Sequence, residues 1–236
     1  MAGLYIVIPA YNESENIENC INDWYKVVEK YNAEGNSRLV IVNDGSKDNT
    51  YEQVQKLAES RPLLIAENKK NGGHGSAVLY GYIYAIEHGA DYIFQTDSDG
   101  QTNPKEFDAF WEQRYEYDGI FGKRLVRGDG KNRAFVEKVV CLLLKIYFGV
   151  DVPDANAPFR LMKCDVVKKY LYKMERDYNL PNIMMTTYFA YNKERIAFKE
   201  ITFMPRVAGV NSINIRKIIK IGWKALGDFR RLKKGM

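Results

Sequence analysis

Asp97-Ser98-Asp99-Gly100-Gln101 sets two carboxylates and a side-chain amide at alternate positions just after an apolar run at 91–96. In extended backbone, residues two apart point the same way, so Asp97, Asp99 and Gln101 face one ligand. Carboxylate and amide oxygens are hard donors that suit Mg²⁺ or Mn²⁺ rather than zinc. Such a cation keeps positions open for phosphate oxygens and offsets charge on a departing diphosphate. A calcium hand counted from Asp97 needs Gly at its sixth place and Glu at its twelfth. Those places hold Thr102 and Asp108, so that site is excluded. The plain alternative is a polar turn whose aspartates cap a helix opening at Pro104. The loop's place at a strand's carboxyl end favours chemistry over that account.

The elements that would position this loop alternate strand with helix. Apolar runs at 4–8, 39–42, 63–66 and 91–96 read as strands, with helices at 13–30, from Thr50 onward, at 76–88 and at 104–115. Thr50 with Gln53 three residues on is a capping-box pattern. Gly89 suits the residue after a helix end, and Pro104 the first helical position. Further on, 119–123, 159–163 and 196–203 read as strands, with helices at 132–148, 165–176 and 182–192. This order predicts an α/β fold with a doubly wound, mostly parallel sheet, whose ligands collect at the strands' carboxyl ends. One domain over 1–212 is expected, with a nucleotide-binding half at 1–103 and an acceptor half at 104–212.

The 236 residues, 46% hydrophobic and 28% charged, are those of an ordinary globular chain. No run approaches the ~20 apolar residues of a membrane span, and 4–8 reads as a strand with no basic segment or cleavage site before it. Three cysteines without CxxC spacing read as core residues in a reducing compartment, and two histidines leave little for zinc. The net charge of +5 is a property of the tail: 213–236 carries eight basic residues against Asp228, so the rest is slightly acidic. General binding of nucleic acid is therefore not indicated. A dinucleotide fingerprint is absent, since the first turn, Pro9-Ala10-Tyr11-Asn12-Glu13, has no glycine. Gly72, Gly73 and Gly75 follow the third strand, and Val78 stands where the last glycine of that motif belongs. No phosphate-binding P-loop pattern occurs.

Four segments in order, Ile8-Pro9-Ala10-Tyr11-Asn12-Glu13, Val42-Asn43-Asp44-Gly45-Ser46, Asn71-Gly72-Gly73-His74-Gly75-Ser76-Ala77 and Asp97-Ser98-Asp99-Gly100-Gln101, resemble the family 2 glycosyltransferases of GT-A fold. Within them the chain looks most like the dolichyl- or polyprenyl-phosphate mannosyl- and glucosyltransferases. The resemblance implies inverting transfer from a nucleoside-diphosphate sugar with Mg²⁺ or Mn²⁺. Pro9, Tyr11 and Glu13 would border the nucleoside, and Asp44 would accept a hydrogen bond from the base. Asp97 would lie near ribose and metal, with Asp99 and Gln101 completing the protein ligands. Arg124 and Arg133 match positions near the acceptor phosphate, and Arg206 resembles the arginine that closes on the donor diphosphate. Departures are Asn43 for a usual Asp, His74 at a position often basic, Pro158 before Phe159-Arg160 for a usual Gly, and Val210-Asn211-Ser212 after the late glycine.

Relatives that glycosylate a sugar hydroxyl carry a late acidic pair as general base, and 178–192 has no Asp or Glu. A phosphate acceptor is already an oxyanion and needs no such base. A lipid phosphate is therefore the expected acceptor, with Asp154 in reserve as a base; a sugar hydroxyl in surface-polysaccharide assembly is the alternative, and a non-catalytic nucleotide-sugar-binding module the distant one. The helix at 132–148 is apolar nearly all round, with Lys138 and Lys145 on one stripe, and reads as buried core. The tail at 213–236 reads as a basic amphipathic helix for an anionic membrane surface, giving a peripheral protein on the cytoplasmic face, beside a possible integral-membrane partner.

Overall fold

Seven apolar runs become the strands of one sheet: β1 (Leu4–Ala10), β2 (Arg38–Asn43), β3 (Leu64–Asn68), β4 (Tyr92–Thr96), β5 (Gly119–Arg127), β6 (Phe159–Lys163) and β7 (Ile196–Phe203). The computed structural model describes residues 2–33, 35–127, 131–205, 227–229, 231 and 233, without the side chains of 125–127 and 131–133. The sheet order is β3-β2-β1-β4-β6-β5-β7. The first four strands are mutually parallel, β5 is parallel to β7, and β6 alone runs against its neighbours β4 and β5. The expected α/β, mostly parallel sheet is what forms, and it is continuous from β3 to β7.

Among the described residues the helices around the sheet are α1 (Ile17–Lys30), α2 (Thr50–Ala58), α3 (His74–Glu87), α4 (Phe107–Glu112), α5 (Lys131–Phe148), α6 (Cys164–Leu171) and α7 (Pro181–Tyr191). Every residue of β1 is buried. Its side chains alternate between two cores, as the strand period demands. Leu4, Ile6 and Ile8 join α1, Val54 of α2 and Phe107 of α4, while Tyr5 and Val7 join Val78 and Tyr82 of α3 with α6 and α7. A Cβ at Gly81 of α3 would stand 2.2 Å from Val7 Cγ1, so this glycine sets how closely α3 lies on β1. Cys20 and Cys164 are buried free thiols and Cys141 is half-buried, in keeping with core roles.

Helix ends follow their local chemistry. After α3, Gly89 takes φ 77° and donates to Ile86 O, while Ala90 N donates to Ala85 O, a Schellman ending. Pro104 opens a 3₁₀ turn capped by Asn103, whose side chain accepts from Lys105 N. Two expectations need correction. The first helix starts at Ile17 rather than at 13, because Thr50 Oγ1 and Asp48 Oδ2 capture the amides of Glu13 and Ser14. Thr50 is thus no cap: it is the buried first residue of α2, and Asn49 precedes it.

The helix predicted at 132–148 forms, yet it is not buried all round. Leu144 and Phe148 are in the core, while Phe135, Val139, Leu142 and Ile146 are exposed. The tail helix expected at 213–236 falls mostly outside the described residues. Within it Phe229 is buried against Tyr147 and Phe148.

Asp118, just before β5, ties three strands together. Its carboxylate accepts from Lys163 Nζ at 2.9 Å, Arg195 Nη2 at 2.8 Å, Arg195 Nε at 3.2 Å and Arg195 N at 3.0 Å. The Arg195 hydrogen bonds, with those of Lys163, hold this carboxyl well below the usual carboxylate range. A pKa lowered on folding stabilises the protein fully above the unfolded value of about 4 and ever less as pH falls below it. We therefore expect Asp118→Asn to cost about 1 kcal/mol at pH 7. In urea titrations over pH 2–7 the variant and parent should converge at the acid end; a constant gap would contradict the ion-pair account.

Candidate active site

The parallel register of β1, β2 and β4 brings their carboxyl ends to one edge, with Ala10 opposite Asn43 and Val7 opposite Gln95. Three polar loops open there. The first is pinned to the second: Asn12 N donates to Ser46 Oγ, and Lys47 N donates to Asn12 Oδ1. Pro9, next to last in β1, is buried, Tyr11 is exposed at the rim, and Glu13 is buried with Oε2 accepting from Asn16 Nδ2.

Asp44 is buried, and its carboxylate is occupied. Oδ1 accepts from Lys69 Nζ at 2.5 Å and Gly72 N at 2.9 Å, and Oδ2 accepts from Gly73 N at 2.7 Å. Gly73 sits at φ 89° at the head of α3. Glycine suits this clasp, since a Cβ at Gly72 would come within 3.0 Å of Lys69 Nζ, while a Cβ at Gly75 would meet Tyr178 O at 2.3 Å and hold α3 off the 178–179 segment. The expected bond from Asp44 to a base therefore shares its oxygens with this clasp. Lys69 was missed by sequence reasoning, which treated the glycines and Asp44 separately.

Past Thr96 the backbone leaves the extended form. Gly100 takes φ 73°, and Gln101 N donates to Asp99 Oδ1 at 3.1 Å. The alternation argument for Asp97, Asp99 and Gln101 therefore loses its premise, since a turn, not a strand, presents them. Gln101 is buried, and its Nε2 donates to Met204 O at 2.7 Å. That bond fixes the amide's orientation, turning Oε1 away from the Met204 carbonyl. Asp97 has Gln95 Nε2 at 3.2 Å and His74 Nε2 at 3.8 Å. Burial raises its carboxyl above the usual range, against the opposing charges of His74 and Arg124. Burial, and after it the negative charges of Asp99, Asp23, Glu13 and Asp97, raise the Cys20 thiol. Carboxylate and amide oxygens of this kind are hard donors and fit a divalent cation. Among the described residues no group of three His, Cys, Asp or Glu side chains is placed to hold a metal, so an amide such as Gln101 would have to complete the set.

Arg124 and Asp154 come together on the other side. Arg124 Nε and Nη2 each donate at 2.8 Å to the two oxygens of Asp154, and both side chains are buried. Asp154 also accepts from the amides of Arg124 and Asn156. Burial alone would raise this carboxyl, yet the Arg124 bonds outweigh it and the net shift is downward. Glu137 of α5 completes the group, 3.5 Å from Arg124 Nη2 and accepting from Ala155 N at 2.8 Å. As a base Asp154 is thus poorly disposed, because both oxygens are engaged and its proton affinity is reduced. Arg124 is likewise not presented as an open phosphate clamp. Arg133 lies in the first turn of α5, where side chains are outside the described residues, as is Arg206.

Two further residues escaped the sequence reading. Glu137, the lone acid in α5, was passed over beside its lysines. Arg160 of β6 is fully buried, donating to Asn182 O, Ala155 O and Thr186 Oγ1 and lying 5.0 Å from the Phe121 ring. It binds the 154–157 turn to α7 and contributes to the field at Asp97.

A family model, glycosyl transferase family 2, matches residues 5–171. A Methanococcus voltae protein named UDP-N-acetylglucosamine–dolichyl-phosphate N-acetylglucosaminyltransferase is 33% identical over 44% of this chain and 43% of its own length. The chain thus spans less than half of that relative. The Micrococcus luteus undecaprenyl-phosphate mannosyltransferase is 25% identical over 88% of this chain and 86% of its own. Among solved structures, Mycobacterium tuberculosis glucosyl-3-phosphoglycerate synthase with Mn²⁺, UDP-glucose and phosphoglyceric acid matches with a TM-score of 0.68 at 16% identity, over 95% of this chain and 77% of that one. The fold is of GT-A type.

Removing one member of a buried ion pair leaves the other uncompensated. Asp154→Ala should therefore lower unfolding free energy by about 3 kcal/mol, while Arg124→Met/Asp154→Leu recovers most of that loss. Urea denaturation of the parent and the two variants decides this; a double variant as unstable as Asp154→Ala, or more so, would show that the two residues do not act as a pair.

Proposed function

The chain belongs to glycosyl transferase family 2, and from that premise we propose that it transfers a sugar from a nucleoside-diphosphate donor to a polyprenyl phosphate, such as a dolichyl or undecaprenyl phosphate. The names of the Methanococcus and Micrococcus relatives support this acceptor. In this reading 1–103 serves the donor and 104–212 the acceptor. Pro9, Tyr11 and Glu13 border the nucleoside, and Asp44 receives the base after its clasp on Gly72 and Gly73 loosens. Asp97, Asp99 and Gln101 hold Mg²⁺ or Mn²⁺. When bound, the cation neutralises charge accumulating on the diphosphate as it leaves. Arg206, outside the described residues, is assigned to the same diphosphate by its resemblance to the family's late arginine.

The reaction is a single displacement with inversion. A phosphate oxygen of the acceptor forms a bond to the anomeric carbon as the bond from that carbon to the diphosphate breaks. No proton has to be removed from the nucleophile, which is ionised at neutral pH. The observation that carries the acceptor is Asp154, the carboxylate reserved for a base, held by Arg124 instead. Arg124 serves as the anchor of the acceptor wall through Asp154 and Glu137, and Arg133 at the start of α5 takes the phosphate. Among the described residues no helix is long and apolar enough to cross a membrane. The protein in this proposal works as a peripheral enzyme on the cytoplasmic face, with an integral-membrane partner where the product must be carried further.

The test is a transfer assay with Mn²⁺, a panel of labelled nucleotide sugars, polyprenyl phosphate and soluble saccharides. Label should enter the lipid phosphate, and Asp154→Asn should keep donor affinity while lowering turnover by about tenfold or less, as loss of a positioning contact does. Label entering saccharides but not the lipid, with Asp154→Asn abolishing turnover, would overturn the proposal in favour of a hydroxyl acceptor.

A further inference from the structure

One row across the sheet breaks the apolar pattern of its neighbours. Val40 of β2 lies opposite Val7 of β1, and Val7 opposite Gln95 of β4. Gln95 lies opposite Arg160 of β6, Arg160 opposite Phe121 of β5, and Phe121 opposite Phe198 of β7. The four apolar members belong to the core shared with α3 and α7 or pack against it. Gln95 and Arg160 stand in the middle of the row, and both are fully buried. Facing residues of antiparallel strands place their Cβ atoms roughly 5 Å apart, so these two side chains share one space. Withdrawing an amide and a guanidinium from water is costly, and a well-packed apolar pair would hold the sheet equally well. Stability alone therefore does not account for them.

Their hydrogen bonds do. The Gln95 side chain donates from Nε2 to Asp97 Oδ1 at 3.2 Å. Its other end, Oε1, has no hydrogen-bond partner among the described residues, and neither has Nε of the facing Arg160. The remaining arms of Arg160 go to Asn182 O, Ala155 O and Thr186 Oγ1, all uncharged. A guanidinium has donors only, whereas a glutamine amide has one donor end and one acceptor end. Beside Arg160 the amide is favoured with its oxygen toward the guanidinium, and that turns its NH₂ toward Asp97. The charge of Arg160 also reaches Asp154, which Arg124 already holds with two bonds, and Asp97, whose other contact is an imidazole at 3.8 Å. Both the Gln95 amide and that imidazole lie against Oδ1 of Asp97.

We propose that Gln95 is a positioning residue for the donor's cation: oriented by Arg160, its amide holds Oδ1 of Asp97 and leaves Oδ2 to face the metal. A carboxylate that binds a metal is commonly steadied by a hydrogen bond from behind, and losing that bond weakens metal binding. Arg160 acts one step further back, since its role is to fix which end of the Gln95 amide meets Asp97. The assignment rests on the reading of Asp97, Asp99 and Gln101 as cation ligands. Its own evidence is the buried polar pair in an apolar row and the bond to Oδ1.

Titration calorimetry with uridine diphosphate and guanosine diphosphate, in Mn²⁺ and in chelator, tests this on the parent, Gln95→Met, Arg160→Lys and Arg160→Met. Gln95→Met removes one hydrogen bond and little buried volume, so it should keep the parent's thermal melt. Its affinity for the preferred nucleotide should fall by about tenfold in Mn²⁺ and stay unchanged in chelator. Arg160→Lys, still a donor-only head, should keep most of the Mn²⁺ gain, and Arg160→Met should lose it. Because Arg160→Met also strands the carbonyls of Asn182 and Ala155, Gln95→Met decides the matter if that variant does not fold. A Gln95→Met protein with the parent's full Mn²⁺ gain would overturn the proposal. So would an equal loss in Mn²⁺ and in chelator, the mark of general damage to the nucleotide site. A parent with no Mn²⁺ gain at all would instead overturn the cation reading on which the proposal stands.

Discussion

A carboxylate withdrawn from water must be met by donors or by positive charge, and the carboxyl edge of this sheet is organised around that requirement. Asp44 meets it with Lys69 and two backbone amides, and in doing so folds the glycine segment over the end of β2. Asp154 meets it with both arms of Arg124, which fastens the turn before β6 to β5. Asp97, between them, has an amide at 3.2 Å and an imidazole at 3.8 Å. Of these three carboxylates it has the weakest compensation, and it stands where the parallel strands open. The contrast makes the 97–101 loop the place where an added cation would gain most.

The same edge depends on close packing behind it. α3 can lie on β1 because position 81 has no side chain, and its first turn can lie on the 178–179 segment because position 75 has none, while Gly73 supplies the positive φ before it. Arg160, buried under Phe121, joins β6 to α7 through carbonyl and hydroxyl partners. Glu137 connects α5 to the Arg124–Asp154 pair and to the amide of Ala155. The Asp44 clasp and the Arg124–Asp154–Glu137 group are each held by such contacts. A substitution in any of them is expected to be felt by its neighbours.

Much of this fold was legible in the chain, since strands buried on both faces read as continuous apolar runs and Gly89 and Pro104 mark helix ends by their backbone preferences. Long-range pairings were not. Thr50 carries the local signature of a cap, but its hydroxyl is taken by Glu13 from another part of the chain. Arg124 and Asp154 are thirty residues apart, and nothing in either segment announces the other. For α5, composition suggested a buried helix, because composition reports how much of a helix is apolar and not how much of it finds cover. The 97–101 segment shows the converse: the residue types pointed to a cation, while the assumed strand period was wrong and Gly100 makes a turn.

Nucleoside-diphosphate affinity with and without metal tests the central claim, that Asp97, Asp99 and Gln101 hold a divalent cation carrying the donor's diphosphate. Isothermal titration with uridine and guanosine diphosphate, in Mn²⁺ and in chelator, should show the preferred nucleotide binding about tenfold or more tighter with Mn²⁺. Asp99→Ala should erase that difference while leaving affinity in chelator unchanged. Equal affinity in Mn²⁺ and chelator for the parent, or a metal effect that survives Asp99→Ala, would contradict the account.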